Sequence, residues 1–116
     1  MAKKVIPIPN PLERRHLIER ELAPDAALRL AEAYLEKDRI WDAIGFFEKA
    51  GARDRLDVLR ESAIGAGDYV LVREISRVLR DDLGAERWRA VAAAAAAAGM
   101  QRYAAEALRQ AERAGG

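Results

Sequence analysis

The chain has 116 residues, 51% of them apolar and 34% charged, with 20 basic against 19 acidic residues and no cysteine. A chain of this length makes one domain, its apolar share excludes disorder, and the lack of cysteine excludes a disulfide framework or thiolate chemistry. The near balance of charge excludes recognition of nucleic acid or an anionic membrane by gross electrostatic attraction, and no apolar run reaches the roughly 18 residues of a membrane span.

Residues 1–9 place Pro7 and Pro9 among apolar residues, which predicts an extended arm. Lys3 and Lys4 followed by those prolines do not make the continuous apolar segment of a signal peptide, so the cytoplasm is the expected compartment. Asn10, Pro11 and Glu13 supply an N-cap, a first-turn proline and a capping-box carboxylate, so a helix is expected from there to about Leu22, with Leu12, His16, Leu17 and Ile18 on its apolar side.

From Pro24 onward the apolar residues recur at helical spacing. Leu28, Leu30, Ala31, Tyr34 and Leu35 form one stripe, and after Asp38 the residues Ile40, Trp41, Ala43, Ile44, Phe47 and Ala50 form the next. Leu56, Leu59, Ala63 and Ile64 precede Gly67, and Asp68 caps a helix carrying Val70, Val72, Ile75, Val78 and Leu79. Trp88 and the run Val91 to Ala98 lead to Gly99, followed by Tyr103, Ala104, Ala107, Leu108 and Ala111.

Gly51, Gly67, Gly84 and Gly99 fall 16, 17 and 15 residues apart, each after such a stretch. Glycine just past a helix end takes the left-handed conformation that other residues resist, so this beat marks a helix beat. Two beats make a repeat of roughly 30 residues, the period of paired-helix arrays. The expected fold is all-α: an α-α superhelix (solenoid) of three antiparallel hairpins preceded by one N-terminal helix and the arm. It forms a single domain over 10–114, with breaks near 23, 38, 52, 67, 84 and 99. The alanines Ala31, Ala43, Ala63, Ala92 and Ala104 let helices approach, and Tyr34, Trp41, Phe47, Trp88 and Tyr103 are expected to fill the spaces between layers.

On these residues the chain resembles the tetratricopeptide repeat family. Leu30, Ala31, Tyr34, Ile40, Ala43, Phe47 and Ala50 stand at that family's packing positions, with Asp38 in place of its usual glycine. The second unit keeps Leu59, Ala63, Gly67, Tyr69 and Leu79 but has Arg60, Val72 and Ser76 where small or aromatic residues are usual. The third keeps Val91, Ala92, Ala95, Gly99, Ala104, Leu108 and Ala111. The resemblance implies a concave face lined by the first helix of each hairpin, where Asp25, Leu28, Glu32, Glu36, Asp54, Asp57, Glu61, Glu86 and Arg89 would face a partner.

Family members that clamp a carboxylate terminus of heat-shock chaperones use lysine, arginine and asparagine there. The equivalent positions here are acidic or alanine, so that ligand does not transfer, and a basic or amphipathic peptide is expected instead. The second helices carry Lys49, Arg73, Arg77, Arg80, Arg102, Arg109 and Arg113; plain solvated faces with pairs such as Glu74 with Arg77 and Glu106 with Arg109 are the competing account.

Chemistry has few candidates. His16 has neither cysteine nor a second histidine to share a metal, and Ser62 and Ser76 are the only hydroxyls of their kind, with no threonine. Gly65-Ala66-Gly67 lacks the strand and lysine of a phosphate loop. The expectation is a non-catalytic, cofactor-free protein-protein interaction module or scaffold without nucleic-acid or membrane partners, the alternative being a self-associating homodimer whose uncapped end is hidden in the pair.

Overall fold

The computed structural model describes residues 10–12 and 22–115, and every described element is helical. Pro11 and Leu12 are helical, with Leu12 exposed, while the expected arm at 1–9 and most of the first expected helix, His16 included, lie outside the described residues. The six helices that follow are α1 (Pro24–Glu36), α2 (Ile40–Ala50), α3 (Arg53–Ala66), α4 (Tyr69–Leu79), α5 (Ala85–Ala97) and α6 (Gln101–Ala114). Among the described residues no helix is long and apolar enough to cross a membrane.

The C-terminal ends of α1 to α5 share one device. At Asp38, Gly51, Gly67, Arg80 and Gly99 the backbone has positive φ, and the N–H of the following residue donates to the carbonyl five residues back: Arg39 to Tyr34, Ala52 to Phe47, Asp68 to Ala63, Asp81 to Ser76 and Met100 to Ala95. This closure satisfies carbonyls that a helix end otherwise leaves unpaired. Asp38, at the position where the resemblance calls for glycine, adopts the glycine conformation with φ 56°. Gly84 departs from the expectation. It does not end the preceding helix, which stops at Leu79, but precedes α5 with φ 87° and ψ 156°, and the intervening residues form a loop that buries Leu83.

Arg80, with φ 52°, is the costly member of the set, since a Cβ in the left-handed region crowds the following carbonyl. Arg80→Gly is therefore expected to stabilise the protein by about 0.5–1 kcal/mol, seen as a rise in the urea midpoint without a change in slope. An unchanged or lower midpoint would show that the arginine side chain contributes more to the fold than its backbone costs.

By its contacts the chain divides into two units, 1–56 and 57–116. In the first, α1 packs on α2, burying Ala27, Ala31 and Tyr34 against Ala43, Ile44, Phe46 and Phe47. Tyr34 stacks on Phe46 with ring centroids 5.4 Å apart and planes 9° from parallel. That stack corrects one expectation: the buried face of α2 is turned toward Phe46, so Trp41, expected between layers, is 51% exposed.

In the second unit α5 packs on α6, and α4 touches both. Asp68 caps α4 as expected, its Oδ1 accepting from the Leu71 amide at 3.2 Å. Tyr69 is the aromatic hub: Trp88 and Tyr103 lie 5.6 and 6.2 Å away between centroids, and Gln110 Nε2 donates to its hydroxyl at 3.1 Å. The alanines expected to permit close approach, Ala31, Ala43, Ala63, Ala92 and Ala104, are all buried. Helix α6 buries Ala104, Ala107 and Ala111, while Leu108, expected with them, stands at the edge of that stripe and is 49% exposed. The closest approach is at Gly67, where a Cβ would come within 2.5 Å of the Ala95 Cα and 2.8 Å of the Ala94 carbonyl carbon.

Candidate interaction surface

The residues expected to face a partner fall in both units. In 1–56, Asp25 and Glu36 are exposed on α1. Leu28 is half-buried and lines an open depression of about 320 Å3 together with Arg53, Asp54 and Arg55. Glu32 is not a free carboxylate: its Oε1, itself out of contact with solvent, lies 2.8 Å from Arg55 Nη1 in ion-pair rather than hydrogen-bond geometry.

In 57–116, Asp57 accepts from Arg60 Nη2 at 3.3 Å, and Glu61 of α3 forms an ion pair with Arg87 of α5. Glu86 and Arg89 are exposed on α5. Of the seven acids expected to face a partner, Glu32 in the first unit and Asp57 and Glu61 in the second are thus each matched by an arginine.

Three residues that bear on this surface were not among the expected site. Val58 stands 67% exposed between Asp57 and Glu61; its place on the helix was readable from the spacing, because the stripe of Leu56, Leu59, Ala63 and Ile64 runs along the other side. Arg87 and Arg55 were hidden, since their partners lie on other helices beyond any i,i+3 or i,i+4 rule.

Arg60 is the buried charged residue of the described core, 3% exposed. Its Nη1 donates to Ser76 Oγ and to the Asp81 carbonyl, both at 3.2 Å, and its Nη2 donates to Asp81 Oδ2 at 2.6 Å, while Nε is buried without a partner. The planar fork of arginine suits this use, with several donors reaching α4 and the loop after it at once. Arg60 and Ser76, which depart together from the family pattern, are bonded to each other.

On the exposed sides of α4 and α6 the expected helical pairs form. Arg77 holds Glu74 through two hydrogen bonds of 2.6 and 3.1 Å, and Arg109 bonds Glu106. The hydrogen bond from Arg77 holds the Glu74 carboxyl below the usual glutamate range, and that from Arg109 does the same for Glu106. Comparison with family models, with curated proteins and with solved structures returned no match to this chain.

Proposed function

We propose that the protein is a non-catalytic, tetratricopeptide-like interaction module of stacked helix hairpins, and that the face shared by α3 and α5 receives a basic or amphipathic peptide or helix of a partner protein. The observation that supports this reading is the Glu61–Arg87 ion pair between α3 and α5, with Val58 exposed three residues before Glu61. An exposed apolar side chain rimmed by charges offers both a contact that excludes water and groups that orient the incoming chain.

A selection from a random peptide library, run on the natural protein and on the Val58→Glu, Glu61→Lys double variant, tests the reading. Surface changes of this kind shift stability by about 1 kcal/mol or less, so the variant is expected to stay folded by circular dichroism. The expected outcome is enrichment of peptides combining basic and apolar residues, with binding weakened on the variant and by salt. Peptides that bind both proteins equally would rule this face out. A natural protein that is dimeric by light scattering, and monomeric as the double variant, would assign the face to self-association instead.

A further inference from the structure

Among the residues that close helix ends in the left-handed conformation, Arg80 alone has a long side chain, the others being glycine or aspartate. A conformation held at a steric cost points to a use for the side chain it displays. Arg80 lies at an open depression of about 320 Å3 in the 57–116 unit, lined also by Arg73, Arg77, Asp81, Asp82 and Gln110. Two of those charges are already engaged, Arg77 by Glu74 and Asp81 by Arg60. Arg73 lies over the Tyr69 ring, 5.4 Å from its centroid, a contact that positions the guanidinium without neutralising it. Glu74 faces Arg77 first and Arg73 more weakly. Neither Arg73 nor Arg80 forms an ion pair among the described residues, so two cations stand against the single carboxylate of Asp82.

We propose that this depression binds an extended acidic peptide, one carboxylate on Arg73 and a second on Arg80. Arg80 comes seven positions after Arg73, immediately past the end of α4, roughly 10 Å along the axis. A chain in the extended polyproline II conformation advances about 3.1 Å per residue and returns to the same face every three residues, so acidic side chains three residues apart span the pair. A compact anion such as phosphate reaches one guanidinium at a time and meets Asp82 without a second attraction to offset it. The site is built by α4 and the loop after it, with Trp88 of α5 and Gln110 of α6 at its border, and its lining includes none of Val58, Glu61 and Arg87.

Fluorescence polarisation with a fluorescein-labelled, end-capped Gly-Glu-Ala-Ala-Glu-Gly peptide tests the assignment. At low salt the peptide is expected to bind, and Arg73→Gln and Arg80→Gly are each expected to weaken it about tenfold, with a further loss as salt is added. Arg80→Gly relieves backbone strain, so lost binding in that variant cannot be ascribed to lost folding. Val58→Glu is expected to leave this binding unchanged, which separates it from the other face. The proposal is overturned if the peptide does not bind, if either arginine substitution is without effect, or if a peptide with glutamine for glutamate, a peptide with one glutamate, or inorganic phosphate binds as well.

Discussion

Gly67→Ala is expected to destabilise the 57–116 unit by roughly 3–5 kcal/mol, combining the left-handed backbone cost with overpacking. Gly67 has φ 71°, and the atoms its new Cβ would meet are the backbone of α5 at Ala94 and Ala95. Main-chain atoms inside a helix cannot rotate away as a side chain can, so relief requires that the turn and α5 move apart. Gly65→Ala is the internal control, because a Cβ there meets nothing within 4 Å and the backbone is ordinary helix. That change is expected to be neutral or stabilising by up to about 1 kcal/mol. Urea titrations of the two variants decide the matter: equal midpoints would mean that the α3–α4 turn does not rest on α5.

The second large effect is expected from Phe47→Ala, at a side chain with no exposed surface, and is about 3–5 kcal/mol. Trp41→Ala removes a larger side chain from the same helix, yet is expected to cost less than about 1 kcal/mol because half of its surface is already in water. Thermal melts that ranked the two in the opposite order would show that the buried face of α2 points toward Trp41.

That contrast marks how far the fold was legible. Helical periodicity and turn chemistry located the helices, the Asp68 cap and the breaks at 38, 51, 67 and 99, because these depend on residues close in the chain. The orientation of α2 was not readable, since Ile40, Trp41, Ile44, Phe46 and Phe47 make it apolar nearly all round, and the choice falls to the stacking of Phe46 on Tyr34. The end of α4 at Leu79 was missed for a similar reason. No glycine announces it, and the loop is fixed by Arg60, distant in sequence. Of the expected site, the positions of the acids along their helices were readable and the arginines that neutralise them across helices were not.

The Arg60 node has a thermal consequence. Its guanidinium is almost dry, while the Asp57 and Asp81 side chains that balance it are 54% and 52% exposed, so one partner bears nearly all the dehydration. Dehydrating a charged group becomes less unfavourable as temperature rises, whereas the gain from burying apolar surface levels off. On warming, the hold of Arg60 on the loop between α4 and α5 therefore accounts for a growing share of what keeps that connection in place, even as the alanine and aromatic contacts around it contribute proportionately less.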